Sequence, residues 1–119
     1  MTIIHKLTEY ATSKPQATAF TYIRESSVDK ITYRELYERA KNIAAELQSH
    51  FKPNDRIILF YPPGIDYIVA FVSCLMANMI AVTAYPPRAN RHLSRIEAIM
   101  QDADISGVLS ISKITQNID

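Results

Sequence analysis

Arg56-Ile57-Ile58-Leu59-Phe60-Tyr61-Pro62-Pro63-Gly64 and Ile80-Ala81-Val82-Thr83-Ala84-Tyr85-Pro86-Pro87-Arg88 are the stretches that decide the fold. In each, an apolar run of strand length ends at Tyr-Pro-Pro and helix-like sequence follows. Continuous apolar character between turn signals is the pattern of an interior strand buried on both faces. Adjacent prolines remove two backbone donors and hold the preceding tyrosine away from α geometry, so each corner is stiff. Two equivalent strand-to-helix junctions at one edge of one sheet stand where open α/β folds put their ligand crevice.

Between the two junctions, Ile65 to Met79 is apolar on nearly every side, as expected of a helix covered by further protein. Asn78 is a plausible exit from it before the strand Ile80 to Ala84. Beyond the second junction, Asn90 is placed to cap a helix with an apolar stripe of Leu93, Ile96, Ile99, Met100 and Ala103. Gly107 then precedes a short strand, Val108 to Ile111. Strand, helix, strand, helix, strand in succession, with right-handed crossovers, predicts an α/β fold: a partial open, mostly parallel sheet with covering helices. The last segment, 112–119, carries no completed core pattern and is expected to lead out of this unit.

Upstream, Thr32 followed by Glu35 is a capping-box pattern that starts a helix. Tyr33, Leu36, Tyr37, Ala40, Ile43, Ala44 and Leu47 recur at spacings of three and four, leaving Arg34, Glu38, Arg39 and Lys41 toward solvent. Phe51-Lys52-Pro53-Asn54-Asp55 supplies the exit and a turn. Nearer the start, Leu7, Tyr10 and Ala11 share one side of a short helix that Pro15 terminates. Ala17 to Ile23 reads as a strand, Arg24 to Lys30 as a polar link, and Ile31 with Tyr33 as a second strand, a candidate antiparallel hairpin. The expected organisation is therefore a helix and hairpin over 1–33, an alternating helix and strand region over 34–111, and an exit over 112–119.

The 119 residues, 48% apolar and 21% charged, suit one modest globular core. Thirteen Lys and Arg against twelve Asp and Glu give a formal charge of +1, without the concentrated positive field that argues for nucleic acid. The single cysteine, Cys74, excludes an intrachain disulfide and fits a reducing compartment, so a cytoplasmic location is expected. The start has no ordered charged leader, apolar core and cleavage site, so export is not signalled. Ile65 to Ala84 reaches membrane-spanning length only if Asp66, Asn78 and Thr83 are ignored; no transmembrane segment is expected.

Neither junction contains the glycine-rich patterns that wrap phosphates, and the chain's two glycines are Gly64 and Gly107. His5, His50 and His92 have no neighbouring ligand pattern for a metal, and Cys74 in mid-helix reads as inert packing. No metal, catalytic or cofactor-binding residue is assigned. Asp66 suits the helix dipole, while Asp102 and Asp104 read as solvent-facing at a helix end. Tyr61 and Tyr85 either line an apolar substrate channel or seal the end of the sheet, and Arg88 either meets a carboxylate or phosphate or faces solvent or a neighbouring domain.

An ordered set of residues resembles the beginning of the acyl-adenylate-forming (AMP-binding) enzyme superfamily, and more closely its fatty acyl-AMP ligase branch. It comprises Ile31-Thr32-Tyr33-Arg34-Glu35-Leu36, Asp55-Arg56-Ile57-Ile58-Leu59, Tyr61-Pro62-Pro63-Gly64 with Phe71, Cys74 and Leu75, Ala81 through Arg88, then Arg95, Ile96 and Ala103. The repeated Tyr-Pro-Pro with Arg88 is the more branch-specific part. Thr83 stands where many relatives have proline, and Asn78 replaces a common glycine. The resemblance implies a much longer parent that uses ATP and Mg2+ to activate a fatty acid as acyl-adenylate. The usual acceptor is the phosphopantetheine thiol of an acyl carrier protein. Its ATP loop, magnesium-binding acid and catalytic lysine would lie beyond Asp119, in the remainder of the ligase, so these residues alone are expected to be inactive. What the resemblance leaves here are possible acyl-pocket wall or junction residues: Tyr61, Pro62, Pro63, Tyr85, Pro86, Pro87 and Arg88. An acyl-CoA ligase fragment and a free-standing α/β interaction module are the alternatives.

Overall fold

In the computed structural model, the residues described are 3–84, 105–110 and 114–116. Helix α1 (Ile3–Ser13) is followed by strands β1 (Thr18–Ile23) and β2 (Val28–Thr32), and then by α2 (Tyr33–His50). Strand β3 (Arg56–Phe60), α3 (Ile65–Met76), β4 (Ile80–Ala84), β5 (Gly107–Ser110) and β6 (Ile114–Gln116) complete the order. The helix expected after Asn90 and the residues Tyr85, Pro86, Pro87 and Arg88 lie outside the described residues.

The first two strands pair antiparallel, Ile23 opposite Val28 and Phe20 opposite Ile31. The hairpin link is shorter than its polarity suggested: Val28 to Lys30 is strand, and Arg24 N–H donates to the Ser27 carbonyl across the turn at 2.8 Å. Polar residues are tolerated there because Lys30 and its partner Thr21 are both exposed. Tyr33 belongs to α2 rather than to the strand, because the cap forms immediately before it. The Thr32 hydroxyl accepts the Glu35 N–H at 3.1 Å, and the Glu35 carboxylate accepts the Thr32 N–H at 2.9 Å.

Strand β3 is the centre of the main sheet, whose order is β4-β3-β5-β6; β4 and β5 flank β3 in parallel, and β6 runs antiparallel to β5. An open, mostly parallel sheet with covering helices is thus what the alternating pattern predicted. Strand β6 falls within the segment read as an exit. Three residues, Ile-Thr-Gln, carry no periodicity of their own, and their order comes from backbone pairing with β5. Strand β5 also takes in Gly107, which the sequence reading put just before it.

Helix α3 ends at Met76, three residues short of the apolar run. Asn78 adopts left-handed backbone (φ 60°), Met79 N–H reaches the Cys74 carbonyl at 2.9 Å, and Asn78 N–H reaches that of Leu75 at 3.2 Å. That pair of bonds is a Schellman closure with asparagine in the place glycine usually takes. Asn54, also left-handed (φ 70°), donates its N–H to the Asn78 carbonyl at 2.8 Å, tying the turn before β3 to the turn before β4.

Helices α2 and α3 each serve two apolar clusters. Ala44, Leu47, Ala70 and Cys74 pack with Ile57, Leu59, Tyr61 and Leu109 of the sheet. Leu36, Ala40, Val69 and Val72 pack with Leu7 of α1 and Ile31 of the hairpin. Full burial of a residue such as Leu47 or Leu59 contributes about 1.5–3 kcal/mol relative to exposure. The buried Ser73 hydroxyl donates to the Val69 carbonyl at 2.6 Å, which removes the cost of placing it inside α3.

Candidate functional site

The parallel register brings Phe60 of β3 level with Ala84 of β4 on one side and Ser110 of β5 on the other, at the carboxyl edge of the sheet. From β3 the chain moves to one neighbour, and the later strand β5 lies on the opposite side. Such a reversal at the carboxyl ends is where open α/β sheets place ligands. The first Tyr-Pro-Pro corner therefore leaves β3 at this edge.

Within the corner the three side chains differ. Tyr61 is 6% exposed and joins the cluster of Ala70, Cys74, Leu59 and Leu109. Burial pushes its hydroxyl up to about 12, reinforced by Asp66 and Cys74 and opposed by Arg39. Pro62 and Pro63 are exposed. They border an open groove of about 400 Å³ that runs between the hairpin and the start of α3. Gly64 caps α3 with φ 152° and ψ −170°, a backbone region essentially confined to glycine, and no side chain caps the helix there.

Two ion pairs frame the groove. Arg39 of α2 donates to the Asp66 carboxylate at 2.8 Å, linking α2 to the first turn of α3. Arg24 meets Asp29 at 3.2 Å, lies over the Tyr22 ring at 5.5 Å, and brings a guanidinium nitrogen within 3.6 Å of where a Gly64 Cβ would stand. Lys30 adds a further cation to the rim. The sequence reading placed Asp66 at the dipole and Arg39 in solvent. Both are about half exposed and also bonded to each other. Arg24, Asp29 and Lys30 were not singled out from sequence, because their common feature is the fold of the hairpin over the corner.

Elsewhere, a shallow surface of about 670 Å³ follows α1 past His5 and Glu9. Its Thr8, Thr12 and Ser13 hydroxyls are engaged with carbonyls of the preceding turn. Cys74 is fully buried, and burial pushes its thiol up to about 12, the opposite of what a nucleophile needs. Among the described residues no three His, Cys, Asp or Glu side chains gather as metal ligands, and no helix is long and apolar enough to cross a membrane. His92, Asp102 and Asp104 lie outside the described residues.

Residues 7–119 match the AMP-binding enzyme family. The chain is 41% identical over 108 residues to a medium-chain-fatty-acid–[acyl-carrier-protein] ligase, JamA of Moorena producens, covering 87% of this chain and 18% of that protein. It is 37% identical over 109 residues to a long-chain-fatty-acid–AMP ligase of Mycobacterium tuberculosis, covering 87% of this chain and 19% of the relative. A crystal structure of the fatty acyl-adenylate ligase from L. pneumophila, in complex with acyl adenylate and pyrophosphate, superposes with a TM-score of 0.83 at 34% identity. That likeness covers 92% of this chain and 19% of the other. The N-terminal subdomain of Klebsiella oxytoca NpsA shares the fold alone, with a TM-score of 0.72 at 19% identity over 92% of this chain and 27% of that one. The chain spans less than a fifth of the length of the first two of these relatives. With its parallel sheet, its capped α2 and its matched residues 7–119, it belongs to the AMP-binding enzyme family.

Proposed function

We propose that this chain is part of an ATP-dependent ligase that activates a fatty acid as acyl-adenylate and passes the acyl group to the phosphopantetheine thiol of an acyl carrier protein. The observation that carries the reading is the 34% identity and 0.83 TM-score to a fatty acyl-adenylate ligase solved with acyl adenylate and pyrophosphate. In the overall reaction, a carboxylate oxygen bonds to the α-phosphorus of ATP as pyrophosphate leaves. The carrier thiol then takes the acyl carbon as AMP leaves. The described residues do not suit the holding of ATP and Mg2+: both groove arginines engage aspartates, and no acidic cluster gathers. The nucleotide and metal would be held by the remainder of the ligase, and no step is assigned to residues of this chain.

The contribution of these residues is architectural. Tyr61 seals the carboxyl end of β3 with its ring in the core. Pro62 and Pro63 fix the corner, and the proposal extends a role at the acyl-pocket wall to Tyr85, Pro86, Pro87 and Arg88 from the repeated Tyr-Pro-Pro sequence alone. A cytoplasmic location accords with this reading.

An acyl-CoA ligase is the second reading, supported by 38% identity over 88 residues to a Mycobacterium leprae protein named as a fatty-acid–CoA ligase, covering 74% of this chain and 15% of that one. Pyrophosphate release from ATP by the full-length parent, dependent on added fatty acid, tests the proposal, with the 119-residue chain as control. Release by the parent alone is expected. A folded parent that releases none with short, medium or long fatty acids would overturn the assignment. Acyl transfer to a phosphopantetheinylated carrier protein, compared with transfer to coenzyme A, separates the two acceptors.

A further inference from the structure

We draw no further inference here: the strongest candidate, the groove between the hairpin turn and the Tyr61–Gly64 corner, has both of its arginines already paired with aspartates, and nothing in the structure shows what covers it.

Discussion

Asn78 holds a backbone angle that most L-residues adopt only at a cost of about 1–2 kcal/mol. Asparagine tolerates it and glycine does so without a Cβ. Asn78→Gly should therefore be neutral to stabilising by up to about 1 kcal/mol, and Asn78→Ala destabilising by about 1 kcal/mol, as read by urea midpoints at constant slope. If alanine is accepted as well as glycine, the left-handed closure of α3 is not a source of strain. Tyr61 and Cys74 make a second residue-scale prediction. Their folded pKa values are raised to about 12, from 10.0 and 9.0. Folding thus favours the protonated forms, so their contribution is complete below pH 9 and is lost as the pH climbs from 9 toward 12. Stability should fall across that window, and Cys74→Ala should confine the fall to the part above pH 10. A flat alkaline profile would show that neither group is as enclosed as its packing implies.

At the scale of the element, the capping box before α2 is a local device written in four residues, and Thr32→Ala should cost about 1 kcal/mol. The same bonds hold the Glu35 carboxyl below its ordinary range. Its contribution is present above the unfolded pKa and disappears as the pH falls through the lower folded value; Glu35→Gln should remove that acid dependence. What was legible in the sequence had this local character. The three-to-four spacing of Leu36, Ala40, Ala44 and Leu47 gave α2, and the run Arg56–Phe60 gave β3 with its bounds. Val28–Lys30 and Ile114–Gln116 were missed because their order comes from a partner strand. The groove was missed for the same reason: Arg39 and Asp66 stand 27 positions apart, and no spacing rule joins them. Asn78 shows the limit of apolar content as a helix signal, since Ala77 and Met79 are buried yet lie beyond the end of α3.

Across the whole molecule, the Cα radius of gyration is 15.2 Å, against about 13.5 Å for a compact domain of this length. Large apolar side chains also reach the surface, among them Ile23 at 74% and Val28 at 54% exposure, cross-strand partners on the hairpin, and Ile80 at 44% on the outermost strand β4. The 119-residue chain by itself should bind a hydrophobic dye such as ANS more strongly per mole than the full-length parent. Equal or weaker binding by the short chain would mean that these side chains are ordinary surface residues. The backbone bond between Asn54 and Asn78 lies at the amino edge of the sheet, where Ile80 N–H also reaches the Asp55 carbonyl and Ser106 N–H that of Arg56. The corner of Tyr61 to Gly64 leaves from the opposite edge. The loop bonds that keep the strands in step thus sit on the rim opposite that corner, so a substitution between Tyr61 and Gly64 leaves them untouched and the strand register survives changes made at the corner.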